Sequence, residues 1–366
     1  MKAWRWYAFG DFRLEEEPMP TAKPGWVLLK VRVAQASVTD AQRAMGIHTG
    51  DIELIRGLIE KYAPVKLFGH ELCAEVVKTG PGVKKFETGD RVAAMSTAPC
   101  HDCPACLSRH PEYCRNGLLL GRHIPGGFAE YVALPADILV KLPLSVNDNE
   151  GASIQPASGS VSGVAAADLK MGDNVVVLGQ GCMGNYIMQI ANYSGAGKVI
   201  CTDVRDEALT FSKDLGADVV IDARKGAIEK AILDATDGVG ADIVFECAGG
   251  EPKAGLSGVR TLSMAFEVVR EGGTVVQIAF FDTDVNLNLN RLRRKGIRYI
   301  FMPPPSPKLL QHTVDLVATG KLKLAPLISH VLEGLDKVPQ AIDMTLNKSK
   351  HRLMNPAQVV VSKGKL

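Results

Sequence analysis

The stretch NVVVLGQGCMG, Asn174 to Gly184, decides the fold. Val175 to Leu178 form a short apolar run of strand length; glycines at 179, 181 and 184 follow at once, and an apolar helical stretch continues to about Ser194. In this strand, turn and helix each glycine has its own task. The first makes the turn, the second lets backbone approach a pyrophosphate, and the third lets the helix pack on the strand, while the helix N-terminus offers amide donors and partial positive charge. A second strand, KVICTDV (198–204), carries Asp203 nineteen residues beyond Gly184, where a carboxylate can accept from both ribose hydroxyls. Gly179, Gly181, Gly184 and Asp203 therefore predict a dinucleotide site. The acid repels a 2′-phosphate and favours NAD(H), with Arg205 keeping the phosphorylated coenzyme as the alternative.

Working outward, ADIVFECAGG (241–250) and GGTVVQIAF (272–280) repeat the same texture, which indicates a parallel sheet with helical crossovers. The chain before Gly172 reads differently. WVLLKVRVA (26–34), KLFGHELCAEVVKTG (66–80) and GDRVAAM (89–95) are short β-rich runs between glycine-bounded turns. The PPPSP segment at 303–307 ends the α/β pattern, and the tail adds a helix near 309–319 and the strand-like QVVVS (358–362). The expected class is α/β in two domains, a β-rich one from 1–157 and 304–366 and a coenzyme domain from 158–303. A length of 366 residues agrees with about 150 residues per domain.

Composition excludes several partners. With 46% hydrophobic and 22% charged residues the chain matches soluble globular usage. Lys+Arg 42 against Asp+Glu 40 leaves +2, too balanced a charge for nucleic-acid or anionic-membrane binding. No run approaches the roughly 18 apolar residues of a membrane span, and a cytoplasmic protein is expected. Residues 51–62 carry apolar positions at helical spacing, with Asp51 placed as cap. The two readings of that helix are surface packing and a cover over a substrate cleft.

Four of the eight cysteines cluster as Cys100-x2-Cys103-x2-Cys106-x7-Cys114. Four soft anionic donors at this spacing suit tetrahedral Zn²⁺ and leave no open position for a reactant, so one structural zinc per chain is expected there. The clustering also points to a reducing compartment.

Taken with Gly69-His70-Glu71 and Gly126-Gly127-Phe-Ala-Glu-Tyr131, these motifs resemble the zinc-containing medium-chain dehydrogenase/reductase family of alcohol and polyol dehydrogenases. The resemblance spans nearly the whole chain. It implies a GroES-like catalytic domain, a Rossmann coenzyme domain, an active site in the cleft between them, and a homodimer or homotetramer. It further implies a catalytic zinc held by a Cys in a Cys-x-Thr/Ser-Asp turn, the His of Gly-His-Glu, and a later Cys, Asp or Glu. Here the turn reads Ser37-Val38-Thr39-Asp40 and the later pair reads Gln155-Pro156, so only His70 is retained. Ser37 and Gln155 are neutral at pH 7 and poor zinc ligands, which would leave a dication without counter-charge. The expected centre lacks a normal catalytic zinc.

Thr39, at the family's substrate-hydroxyl position, still both donates and accepts; His70 becomes a general acid or base; Glu71 orients it or takes the proton itself. Asp40 is assigned to holding the turn, and Gln42 stands where the family's outer relay has a His. His123, the basic run Arg291, Arg293, Arg294 and Lys295, and Arg352 are weaker candidates for substrate or phosphate contacts. The expected activity is NAD(H)-dependent interconversion of an alcohol and a carbonyl. The alternatives are zinc-free NAD(P)H-dependent reduction of an activated C=C bond and a non-catalytic NAD(H)-binding subunit.

Overall fold

The computed structural model describes residues 1–47, 52–249, 258–281 and 284–363. The chain forms two compact units: Met1–Pro156 with Pro305–Ala318 and Leu324–Leu366, and Ala157–Pro304 with Thr319–Lys323. The latter short segment joins the second unit because both polar ends of the Gln189 amide bond the Lys323 backbone, accepting from its N–H at 2.9 Å and donating to its carbonyl at 3.1 Å.

The second unit is built on a parallel sheet ordered Val219–Asp222, Lys198–Asp203, Asn174–Leu178, Ala241–Glu246, Val269–Gln277, Arg298–Phe301. Numbered along the unit this is 3-2-1-4-5-6, the doubly wound dinucleotide arrangement expected from the sequence. Val175 to Leu178 are fully buried, as a central strand covered on both faces must be. The direction of winding reverses at Asn174–Leu178, and ligands of such sheets sit beyond the carboxyl ends at that point.

The first unit is β-rich. Its main sheet runs Val331–Glu333, Gln358–Val360, Trp26–Gln35, Glu71–Thr79, Arg91–Ala94, Leu139–Lys141, with Tyr131–Pro135 also paired to Trp26–Gln35. The central strand, Trp26–Gln35, alternates less than an edge strand because almost all of it is buried. Stacked and edge-on rings of Trp6, Phe12, Phe68 and Phe128 fill the space beside it.

Two details of register matter for the site. Gln358 lies opposite Gln35, and Gln35 lies opposite Glu71, so three polar side chains form one row across three strands on one face. The returning C-terminal strand thus supplies part of a polar cluster, which the sequence alone does not reveal. The amphipathic helix is Ile52–Tyr62 and buries Ile52, Ile55 and Ile59; Asp51, expected to cap it, lies outside the described residues. The tail helix is Pro307–Ala318, starting at the proline rather than after it, because proline suits a first helical turn. Among the described residues no helix is long and apolar enough to cross a membrane.

Candidate active site and metal centre

Backbone-to-backbone packing places His70. Phe68 and Gly69 both take left-handed φ, +65° and +76°, turning the chain into the strand Glu71–Thr79. Gly126 and Gly127 lie directly against this turn. A Cβ at Gly126 would stand 1.8 Å from the Phe68 carbonyl oxygen, and the Gly127 N–H donates to the Gly69 carbonyl at 2.7 Å. The Gly-Gly pair is therefore a close-approach requirement that fixes the residue following Gly69.

On the facing side, Ser37 caps the helix Val38–Ala44, its Oγ accepting from the Asp40 N–H at 3.0 Å. Ser37 Oγ also lies 3.3 Å from Thr39 Oγ1, so the two hydroxyls form a pair. Asp40, buried, reaches across to the turn. Its Oδ2 accepts from the Gly69 N–H at 2.8 Å, the His70 N–H at 3.3 Å and His70 Nδ1 at 2.8 Å. This assigns the proton on His70 to Nδ1 and leaves Nε2, 3.8 Å from Glu71 Oε1, facing away from Asp40. Asp40, expected only to hold its own turn, is the group that orients His70; Glu71 faces the opposite ring nitrogen.

The electrostatics follow from burial and pairing. Burial would raise the Asp40 carboxyl, but the His70 charge and hydrogen bond, with Arg43 and Arg122 behind, hold it down to about 2. Burial alone would lower His70; the Asp40 carboxylate outweighs it and leaves the imidazole above its usual value. Glu71 has weaker support, and burial pushes it up to about 7 against the His70 charge and a hydrogen bond from Gln35 Nε2. A carboxyl raised to about 7 and an imidazole raised above its ordinary value thus sit side by side, an arrangement suited to general acid–base work.

Ser37 and Gln155 bring no charge to this centre. Ser37 Oγ already accepts as a helix cap, Gln155 is an uncharged amide within the helix Asp148–Ala167, and Glu71 is tied back by Gln35. Among the described residues no set of three His, Cys, Asp or Glu converges here, whereas Cys100, Cys103, Cys106 and Cys114 place all four Sγ atoms within 4.8 Å of one another. Sulfur separations of 3.4, 3.6 and 3.8 Å match the edge of a tetrahedron with bonds of about 2.3 Å, roughly 3.8 Å. Cys103 starts the short helix Pro104–Leu107, and the Cys106 backbone N–H lowers its thiol to about 6, whereas a hydrogen bond with Asp102 raises Cys100 to about 12 and burial raises Cys106.

In the second unit the three glycines differ as their tasks require. Gly179 has φ +91° and a Cβ there would meet Ala248 at 2.6 Å; a Cβ at Gly184 would lie 1.9 Å from the Gly179 carbonyl oxygen. A Cβ at Gly181 would meet nothing within 4 Å, so the second glycine faces open space before the helix Cys182–Tyr193, whose N-terminal amides suit an approaching phosphate. Asp203 is less available than expected. Its Oδ2 accepts from the Gln180 N–H at 2.7 Å, and its Oδ1 accepts from the Arg205 N–H at 2.9 Å and Nε at 3.3 Å.

The weaker candidates have local partners. His123 Nδ1 accepts from the Leu119 N–H in its own turn. Arg291 pairs with Glu267, and Lys295 Nζ donates to the Phe266 and Glu267 carbonyls at the end of the helix Arg260–Val268. Arg352 has φ +54° and terminates a short helix. Sequence reasoning overlooked Gln35, Ser153, Asn355 and Gln358, buried polar residues around Glu71; their signal, polar residues inside otherwise apolar strand and helix patterns, is visible only in retrospect.

Comparisons with known proteins bear on family and fold. The alcohol dehydrogenase GroES-like domain family matches residues 23–144 and the zinc-binding dehydrogenase family matches 182–318. A sorbitol dehydrogenase of Halalkalibacterium halodurans is 30% identical over 91% of this chain and 93% of its own. An L-threonine 3-dehydrogenase of Pyrococcus horikoshii is 30% identical over 90% and 91%. A zinc-binding dehydrogenase of Sinorhizobium meliloti, solved bound to NADP, superimposes with a TM-score of 0.83 at 27% identity over 98% of both chains.

Proposed function

Since the chain belongs to the zinc-type medium-chain dehydrogenase/reductase family, we propose that it is an NAD(H)-dependent alcohol–carbonyl oxidoreductase that handles the substrate oxygen with Thr39, His70 and Glu71 and holds no catalytic zinc. The coarser statement, an oxidoreductase of alcohols and carbonyls using a nicotinamide dinucleotide and zinc, follows from its relatives. The observation carrying the finer reading is the commitment of the atoms at the reactive centre. Ser37 Oγ serves Asp40 N–H, and His70 Nδ1 serves Asp40, leaving Nε2 beside Glu71.

When bound, the nicotinamide takes up or gives the hydride. Thr39 Oγ1 donates to, or accepts from, the substrate oxygen, with Ser37 Oγ as its neighbour. His70 Nε2 holds or releases the proton that leaves the alcohol, and Glu71 shares it. The negative charge developing on the oxygen is met by hydrogen bonds and the imidazolium, which favours activated carbonyls over simple ones. Cys100, Cys103, Cys106 and Cys114 would hold one structural zinc, which shapes the lobe and takes no part in the reaction. Assembly as a homodimer or homotetramer is part of the same proposal.

The NAD(H) preference rests on Asp203. A carboxylate at this strand end would repel a 2′-phosphate, while Arg205, folded onto it, would have to release before it met one. Fluorescence titration is expected to show NADH binding about tenfold or more tighter than NADPH, with Asp203→Asn reducing the difference; equal affinities would reject the preference. Following NADH oxidation with ketones, aldehydes and enones tests the chemistry. Turnover of carbonyls supports the proposal, turnover of enones alone gives the C=C reductase, and binding without hydride transfer gives a non-catalytic subunit.

A further inference from the structure

The row Gln358, Gln35, Glu71 ends a chain of hydrogen bonds with a fixed direction. Gln35 Oε1 accepts from Ser153 Oγ at 2.9 Å, from Gln358 Nε2 at 2.8 Å and from Asn355 Nδ2. Gln358 Nε2 also donates to the Asn149 carbonyl at 2.9 Å, which anchors it from the helix Asp148–Ala167. Gln35, Ser153 and Gln358 are fully buried, and Asn355 is 2% exposed. A carboxamide has one acceptor and one donor end, and three converging donors leave its oxygen only one orientation. The Gln35 NH₂ is thereby aimed at Glu71, where Nε2 donates to Oε2.

Glu71 then meets His70 Nε2 with its other oxygen, and His70 Nδ1 passes to Asp40. The charged and titratable groups facing Glu71 are His70 and Asp40, with Arg43 and Arg122 behind Asp40. An unoriented amide at position 35 would present its oxygen to Glu71 as readily as its N–H and repel the carboxylate. Nothing in a merely space-filling role requires three donors on one oxygen.

We propose that Gln35 is a positioning residue of the reactive centre: oriented by Ser153, Asn355 and Gln358, it holds the Glu71 carboxylate against His70. The proposal rests on the reading that Glu71 and His70 move the substrate's proton. Its test does not need turnover, so the two fail separately.

The measurement is thermal stability of the zinc-loaded full chain from pH 4 to 9 in four proteins: wild type, Glu71→Gln, Gln35→Met, and the double variant. The folded pKa of Glu71 lies above its ordinary 4.5, at about 7. The folded state binds the extra proton, so this contribution to stability is complete below pH 4.5, is lost as pH rises, and levels off above about 7. The wild-type minus Glu71→Gln difference isolates it. Gln35→Met removes a hydrogen bond to a charged group, and the corresponding difference is expected to level off about one to two pH units higher. Gln358→Leu, which removes one donor and leaves Gln35 in place, should give a smaller shift in the same direction and serves if Gln35→Met does not fold.

The acid–base limb of the kcat/KM profile for NAD-dependent oxidation of sorbitol or L-threonine, whichever turns over, should move by the same amounts. Superimposable difference curves for wild type and both variants would overturn the assignment and leave Gln35 as packing. A shifted stability curve with no hydride transfer would keep Gln35's role toward Glu71 and reject the proposed activity instead.

Discussion

Around Cys100 to Cys114 four sulfurs stand 3.4 to 3.8 Å apart and offer a cation nothing but thiols, whereas around His70 a hydroxyl, an imidazole and a carboxamide stand at the corresponding family positions. Both places lie in the first unit, in the same folded surroundings. The difference teaches that one fold can carry two donor sets of unlike charge. Anionic ligands neutralise a dication, and neutral ones leave its charge unbalanced. At the second place the lost charge has a replacement in kind: Asp40 charges His70, and Glu71 titrates near neutrality beside it.

The largest effect should come from breaking the first place. Replacing Cys103 and Cys114 together by Ser is expected to take zinc from about one per chain to none, and to lower the thermal midpoint by roughly 10 °C or more. Elemental analysis and calorimetry read the two quantities. If zinc is retained, the metal is elsewhere.

Next in size is His70→Ala, expected to lower kcat/KM by about 10² to 10⁴, the usual range for a positioned acid–base group, with zinc per chain unchanged. Loss of one zinc on that substitution would show that both places hold metal and would remove the contrast. Thr39→Val should also lower kcat/KM, by about 10²-fold or more, without changing the pH at which activity falls.

A fourth variant sharpens the comparison from the other side. Ser37→Cys with Gln155→Glu restores two anions beside His70 and is expected to raise zinc from about one to about two per chain. Its cost is the helix cap at Ser37, about 1 kcal/mol. A variant that folds and still binds one zinc would show that something other than ligand charge excludes the second. The smallest expected effect is the pH-dependent stability carried by Glu71. Between pH 4.5 and 7 the wild type should lose up to about 3 kcal/mol that Glu71→Gln does not lose.

What the sequence made legible was local. Gly179, Gly181 and Gly184 could be read because each glycine's task is set within a few residues; a Cβ would clash at Gly179 and Gly184 and would meet nothing at Gly181. The cysteine spacing was legible for the same cause, since one loop supplies all four sulfurs. The Ser37 and Gln155 departures stood out only against the family pattern. Long-range partners were not legible. Gln35, Glu71 and Gln358 become neighbours through strand register, across separations of 36 and 323 residues, and Ser153 joins them from a helix. Asp203 was placed correctly at its strand end, but its engagement by Gln180 and Arg205 depends on turn geometry that no spacing encodes. Asp40's reach to Gly69 and His70 likewise required the turn at Phe68 to be known in three dimensions.

Zinc per chain in the purified wild-type protein, measured by elemental analysis against amino-acid quantification, bears most directly on this account. About one equivalent, displaced only when the cysteine lobe is disrupted and without effect on the His70 chemistry, is the expected result. About two equivalents, one of them lost on His70→Ala together with activity, would contradict it.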